Sequence, residues 1–378
     1  MPNKTFLILG GYGNTGRLIS RLLLQETGVR LVIAGRNIER AKETAAGFNR
    51  DFPGERVMPA YADASDIASL RSVFQGIDLV VVASSTVKYT RQVAQTALEE
   101  NLDYLDVLFS TKKVAVLKSM STEIEIACRC FITDGGFHPG LPAALVRFAA
   151  LGFDRLEKAQ VGSVIKQDWK SLAVEGATMD ELLEELNDFQ MVLYKEGQWR
   201  KASLVSTADY LKMDFGREFG MQLCAPMFLE EMRLLPSLYP SLQETGFFVG
   251  GFNWFVDWVV MPLALGVLKI SPRRTLRPMG SLMRWGLNTF SKPPYATMLK
   301  VEASGMKDGI ARTRQVTLYH PDGYVFTAVP VVACLLQYLD GLFKKPGLWT
   351  QALIVDPTRL MKDMERLGIE VMDVSGPQ

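Results

Sequence analysis

Four glycines fall within seven positions, Gly10 to Gly16, inside the stretch TFLILGGYGNTGRLISRLLL of residues 5–24. Glycine loses more backbone freedom on folding than any other residue, so such a cluster marks a backbone geometry that side chains would obstruct. The β-rich apolar run TFLILG before it reads as a buried strand. After it, Leu18, Ile19, Leu22 and Leu23 recur at helical spacing. Between them Gly11-Tyr12-Gly13-Asn14-Thr15-Gly16 forms a G-x-G-x-x-G turn in strand–turn–helix context. The first glycine permits the tight turn, the second lets a diphosphate approach the backbone, and the third lets the helix close on the strand. The amides at the helix N-terminus then receive the phosphates. Gly11, Gly13, Asn14, Thr15 and Gly16 are therefore candidates for dinucleotide binding, against the alternative of an ordinary tight turn.

The following strand, VRLVIAGRN, sharpens the choice of dinucleotide. A carboxylate about 20 residues beyond the glycine turn holds the ribose 2′-hydroxyl of NAD. Here the strand ends on Gly35-Arg36-Asn37, without an acid. A guanidinium binds a 2′-phosphate through paired hydrogen bonds, whereas a carboxylate repels it. Arg36 and Asn37 thus favour NADP (NADPH), with NAD the weaker expectation; a solvated surface arginine is the alternative for Arg36. Strand and helix continue to alternate. RVMPAYADASD ends a third strand near Asp63, SLRSVFQGI reads as a short helix, and DLVVVASST is a strand apolar on both faces that ends at Ala83-Ser84-Ser85. VKYTRQVAQTALEENL and DYLDVL supply the next helix and strand. The expected fold is α/β, an N-terminal doubly wound domain followed by a mixed α+β second domain. Asp63 and Ser84 lie at strand ends, where the ligand crevice of such a domain belongs.

The chain has 378 residues, which favours two domains, and 48% of them are apolar with a formal net charge of +1. That balance excludes a disordered tail and gives no reason to expect a nucleic-acid partner. Cys128, Cys130, Cys224 and Cys334 are too few and scattered for a disulfide framework, which points to a reducing, cytoplasmic compartment. IEIACRCFI alternates like a strand, placing Cys128 and Cys130 on one face. With two histidines in the chain, His138 and His320, no metal site is expected. The first residues carry no secretory pattern, and no internal repeat or low-complexity tract is evident.

Four further features carry a family resemblance: GGYGNTG with AGRNIERAKE, NLDYLDVL, TDGGFHPGLPAALVRFAA, and KKPGLWTQALIVDPTRLMKDMERLGIEV. Together they cover about half the chain and resemble the saccharopine dehydrogenase-like reductases. The resemblance implies a Rossmann domain over residues 1–130, a substrate and dimerisation domain over 131–320, and a helical segment over 321–378 that packs back on the first domain. It also implies a small-molecule substrate in the cleft between domains, and a homodimer. Asp106 and His138 fall at turns similar to the family's cleft, which makes them the candidates for polar groups beside a nicotinamide. A loop-fixing aspartate and a structural histidine are the alternatives. Members acting on amino acids commonly carry Asp where this chain has His138. No arginine matches their carboxylate clamp, although Lys166, Arg217 and Arg233 sit in comparable segments.

Residues 247–268, FFVGGFNWFVDWVVMPLALGVL, are unusually apolar and aromatic, in a region where the family's substrate domains ordinarily use a sheet. Their length suits a bilayer span, but Asn253, Asp257, Pro262 and three glycines oppose one. From Trp258 to Val301 there is no Asp or Glu, while Lys269, Arg273, Arg274, Arg277, Arg284, Lys292 and Lys300 supply seven positive charges. Cations beside apolar surface suit peripheral attachment to an anionic membrane through 247–300, or a pocket for a long apolar substrate with an acidic head. A buried hairpin or subunit contact is the plain alternative. KAQVGSVIKQDW, MLKVEASGM and GIARTRQVTLYHPDG read as strands, MDELLEELNDF as an acidic surface helix, and VFTAVPVVACLLQYLDGLF as a long apolar helix. The expected function is an NADP-dependent oxidoreductase reducing a C=C, C=N or C=O bond of a bulky, partly apolar substrate. The alternatives are an imine- or opine-type amino-acid dehydrogenase and a non-catalytic dinucleotide sensor or scaffold.

Overall fold

Phe6, Leu7, Ile8, Leu31, Ile33, Val80 and Val81 have no exposed surface. They lie on strands, and a strand whose consecutive residues are all buried is covered on both faces. In the computed structural model, which describes residues 4–169, 189–203, 206–270, 272–343 and 345–377, the strands are β1 (Thr5–Leu9), β2 (Arg30–Gly35), β3 (Val57–Tyr61), β4 (Leu79–Val82), β5 (Asp103–Asp106) and β6 (Cys130–Thr133). They pair in parallel in the order β6-β5-β4-β1-β2-β3, with Gly347–Thr350 added in parallel beyond β6. Between them run α1 (Asn14–Glu26), α2 (Ile38–Asp51), α3 (Ile67–Phe74), α4 (Thr90–Glu99), α5 (Thr111–Ser119) and α6 (Ser121–Ile126). The strand order reverses between β1 and β4, which places the switch point of a doubly wound sheet at the glycine turn.

The chain divides into two compact units, Met1–Leu141 with Thr327–Met364, and Pro142–Phe326 with Glu365–Gln378. In the first unit the helix Gly323–Leu339 contributes Tyr338, whose hydroxyl donates to Asp103 Oδ2 at 2.6 Å and whose ring lies 6.2 Å from that of Phe6. The second unit begins with α7 (Pro142–Ala150) and is built on a mixed sheet. Its strands are β7 (Arg155–Lys166), β8 (Val192–Lys195), β9 (Gln198–Lys201), β10 (Leu211–Asp214), β11 (Met221–Met227), β12 (Glu244–Gly250), β13 (Ala296–Lys307) and β14 (Ile310–His320). The order is β10-β11-β12-β7-β13-β14, with Glu370–Pro377 pairing β14 and with β8 and β9 attached at β12. β12 runs parallel to β7, whereas the β7–β13 and β13–β14 pairs are antiparallel. The fold class expected from the sequence is the one observed.

Two local expectations are corrected. IEIACRCFI is not a strand throughout: α6 ends at Ile126, exposed Cys128 turns at φ 52°, and β6 starts at buried Cys130. A run this short cannot distinguish alternation from the end of a helix that buries only Ile124. Residues 247–268 do not form one span, in line with the polar and turn-forming residues they contain. Phe247 and Phe248 are buried in β12, Gly251 turns at φ 78°, and a helical segment opens only beyond it, with Met261–Ile270 as its α-helix. Among the described residues no helix is long and apolar enough to cross a membrane. Lys300, counted with the cationic flank, is buried, donates to Asp214 O at 2.9 Å and pairs with Glu302 at 2.8 Å. Residues 179–188 of the acidic segment lie outside the described residues, as do the side chains of Lys269, Arg273, Arg274 and Arg277.

Candidate functional site

The glycine turn is tight enough to forbid side chains where it meets the sheet. Gly10 adopts φ 86°, and a Cβ there would stand 2.7 Å from both Ala83 O and Ser84 Cβ, at the end of β4. A Cβ on Gly16 would strike the Gly10 carbonyl, so α1 rests directly on the turn. The N-cap of α1 is Gly13, which lays no side chain over the first-turn amides, and that turn carries no acidic residue. A helix start with uncapped amides and no carboxylate is suited to an anion. Asn14 and Thr15 open this helix, with Asn14 exposed.

Tyr12, which sequence reasoning passed over, ties the turn to the end of β2. Its hydroxyl accepts from the Asn37 amide at 3.0 Å, and the Arg40 guanidinium lies 4.9 Å from its ring centre. Asn37 also caps α2, its Oδ1 accepting from Arg40 N at 3.0 Å. Arg36 is exposed on the same tip. Asp63 Oδ1 accepts from the Ser65 amide at 2.9 Å and the Ser65 hydroxyl at 2.7 Å. These bonds, followed by the charges of Arg36 and Lys88, hold its carboxyl below the usual range. Gly11, Gly13, Asn14, Thr15, Gly16, Arg36, Asn37, Asp63 and Ser84 therefore all lie at the carboxyl ends of β1 to β4. The missing Cβ atoms, the uncapped helix start and the acid-free tip of β2 fit the diphosphate and 2′-phosphate of an NADP-type dinucleotide.

Asp106 lies deeper. It ends β5 almost without exposure, beside Lys113 on α5 and Asp134 just after β6, both equally buried. Lys113 Nζ donates to Asp106 Oδ1, to Leu108 O, and to Asp134 Oδ1 at 2.9 Å. Asp106 Oδ1 also accepts from Asp134 N at 3.2 Å, and its Oδ2 from the Thr133 hydroxyl at 2.9 Å. Burial alone would lower the Lys113 pKa, but the two carboxylates outweigh it and the ammonium is held charged. Both oxygens of Asp106 are thus engaged in shaping the start of the turn that carries His138. Gln351 shapes the rest, its Nε2 donating to Gly136 O at 3.1 Å and Gly140 O at 3.3 Å. His138, joined to Pro139 by a cis peptide bond, packs its ring 3.9 Å from that of Phe137. Burial pushes its pKa down to about 4, so the imidazole is neutral at pH 7.

The second unit has a cavity of its own. Leu223 and Ala225 on β11, Val249 on β12, Phe252, and Met261 and Pro262 of the following helix wall a cavity of about 150 Å³. Asp257, Tyr210 and the indole N–H of Trp258 supply the polar groups of its lining. The Asp257 carboxyl receives backbone hydrogen bonds from Phe252, Gly251 and Asn253, yet burial pushes its pKa up to about 7. Of the cations proposed from sequence for a carboxylate, Arg217 is exposed, Arg233 pairs with Glu230 at 2.9 Å, and Lys166 lies 5.8 Å from the Phe219 ring centre. Among the described residues no His, Cys, Asp and Glu cluster could hold a metal ion.

Comparison with known proteins agrees with this geometry. Residues 6–127 match the family model of the saccharopine dehydrogenase NADP binding domain. No curated protein matches the chain. Among solved structures, saccharopine dehydrogenase (L-Glu forming) of Saccharomyces cerevisiae aligns over 99% of this chain and 100% of its own, with TM-score 0.70 and 16% identity. DAP dehydrogenase of C. glutamicum, solved in complex with DAP, aligns over 97% of this chain and 99% of its own, with TM-score 0.47 and 13% identity. The chain therefore carries a saccharopine dehydrogenase-type NADP-binding domain at residues 6–127 and has the saccharopine dehydrogenase fold along almost its whole length.

Proposed function

We propose that the protein is an NADP-dependent oxidoreductase reducing a C=C, C=N or C=O bond of a bulky, partly apolar substrate. The observation that carries the cofactor choice is the exposed Arg36 on an acid-free tip of β2, beside a glycine turn with an uncapped helix start. Bound NADPH supplies the hydride, and the residues of the chain bind and orient it. The first-turn amides of α1 hold the diphosphate, Arg36 the 2′-phosphate, and Ser84 and Asp63 border the crevice. His138, neutral at pH 7, offers a hydrogen bond to a substrate heteroatom instead of a full charge. Asp106 acts as a positioning residue, since its oxygens hold Lys113, Thr133 and Asp134.

The test is cofactor selectivity. Arg36→Ala removes a charge-assisted contact worth roughly 1.5–3 kcal/mol, so NADPH should bind about 10–100-fold more weakly while NADH changes little. Equal losses for both cofactors would refute the assignment of NADP. NADPH consumption with 2-oxoacids and amines would assign the imine- or opine-type activity, and tight binding without turnover on any substrate would assign a sensor.

The proposal extends to an anionic membrane surface as the place where such a substrate is met. Trp258 and Trp285 are 50% and 52% exposed on the stretch from Trp258 to Val301 that lacks acidic residues, and Trp254, 60% exposed, precedes it. Trp254 and Trp285 pack edge-on against Phe290, with ring centres 5.1 Å and 5.4 Å away. Rigid, half-exposed indoles beside cations are the composition of an interfacial anchor. Flotation with phosphatidylserine vesicles should recover the protein and flotation with phosphatidylcholine vesicles should not; absence from both retires the attachment.

A further inference from the structure

The second unit holds the cavity lined by Leu223, Val249 and Met261. Its walls are a sheet face and a helix: β11 and β12 contribute Leu223, Ala225 and Val249, and Met261–Ile270 contributes Met261, Pro262 and Gly266. The cavity measures about 150 Å³ and opens to solvent, and an apolar lining with few polar groups is the usual composition of sites that take small ligands. Trp258 belongs to the lining and is also half exposed, so it stands at the mouth. The polar groups of the lining side chains are the Asp257 carboxyl, the Tyr210 hydroxyl and the Trp258 indole N–H.

We propose that this cavity is a binding site for an amphiphile, its hydrocarbon chain held between the β11–β12 face and the helix Met261–Ile270, and its uncharged hydroxyl or amide head hydrogen-bonded to Asp257. An apolar chain gains from leaving water roughly 0.8 kcal/mol per buried CH₂. A charged ammonium head is disfavoured because the site has one carboxyl, already engaged by three backbone amides. An anionic head would face that carboxyl directly. This deepens the reading of the substrate as bulky and partly apolar, and rests on it, but it is measured without cofactor.

The probe is 11-bromo-1-undecanol, whose bromine quenches tryptophan fluorescence at contact. The full chain should show saturable quenching, and Trp258→Phe should remove most of its amplitude. Gly266→Leu fills the site from the helix side: a Cβ there meets nothing within 4 Å, so the side chain enters open space, and leucine favours a helix over glycine. That variant should bind the probe at least tenfold more weakly while its far-UV circular dichroism and NADPH affinity stay unchanged. Quenching that does not saturate, or that is the same in Gly266→Leu, would overturn the site. Equal affinity for 1-bromoundecane, which lacks the hydroxyl, would overturn the role given to Asp257. Loss of NADPH selectivity in Arg36→Ala would leave this result untouched, and the reverse holds too.

Discussion

Asp106 in the first unit and Asp257 in the second are both largely removed from water, and the fold treats them in opposite ways. Asp106 sits in a cluster where Lys113 bridges it to Asp134 and where Thr133 and a backbone amide take its remaining lone pairs. Asp257 has backbone amides but, among the described residues, no cation acting on it, and burial wins over the amides, pushing its pKa up to about 7. In the first case charge is compensated by geometry. In the second it is compensated by the ease of taking up a proton. A rigid ionic cluster suits the base of a turn that must present His138 in one place. A carboxyl that changes state near neutrality suits a pocket whose other walls are apolar.

The largest test of this contrast is Lys113→Met. Removing the cation leaves two buried carboxylates facing each other, and breaking a buried pair in this way costs about 3–5 kcal/mol. The urea midpoint should fall accordingly, and NADPH affinity should drop with the loss of the turn. Asp106→Asn keeps the shape, and should cost less. If Lys113→Met unfolds no more easily than the parent chain, the cluster is not what fixes the turn.

The cluster also shows where sequence reasoning stopped. The glycine turn was legible because its function is local: four glycines between a strand and a helix announce a backbone that must come close to something. The alternation of β1 to β5 with helices was legible for the same reason, since period and turn residues are local. Lys113 and Asp134 lie 7 and 21–28 residues from their partners along the chain, and only the pairing of β5 with β6 brings them together. Gln351 acts across more than 200 residues, and no periodicity carries that signal. The tail of α6 was misjudged for a different reason, and the 247–268 stretch, though rightly judged unfit for one span, shows the same difficulty. Each joins two elements, and composition does not mark the joint except at Cys128 and Gly251, where φ is positive. Tyr12 was visible as the one aromatic inside the glycine turn, but what it touches was not.

A smaller effect should come from pH. Asp257 has a folded pKa of about 7 against 3.8 for an unperturbed aspartate, so between those values the folded chain holds a proton that the unfolded chain releases. Its contribution therefore favours the fold at pH 4 and is lost as pH rises to 7, by an amount on the order of 2–4 kcal/mol. Cys224 faces it and is pushed up to about 12 by burial and then by the Asp257 charge, so it stays a thiol throughout. In Asp257→Asn the fall of Tm between pH 5 and 7.5 should flatten. An unchanged slope would mean that Asp257 is solvated like a surface carboxylate, and the contrast with Asp106 would disappear.

The smallest expected change comes at the tip of β2, and it asks whether the first unit relies on fixed geometry there as well. Tyr12→Phe removes the oxygen that accepts the Asn37 amide at 3.0 Å and retains the ring beneath Arg40. Asn37 is exposed, so its amide can turn to water and the stability cost should stay near about 0.5–1 kcal/mol. Binding is affected more than stability, because the hydrogen bond holds the tip that carries Arg36 against the glycine turn. A looser tip must be ordered when the 2′-phosphate arrives, and ordering it should weaken NADPH by about threefold to fivefold. NADH, which makes no use of Arg36, should lose less. If both cofactors weaken alike, Tyr12 serves the turn itself, and the selectivity of the site resides in Arg36 alone.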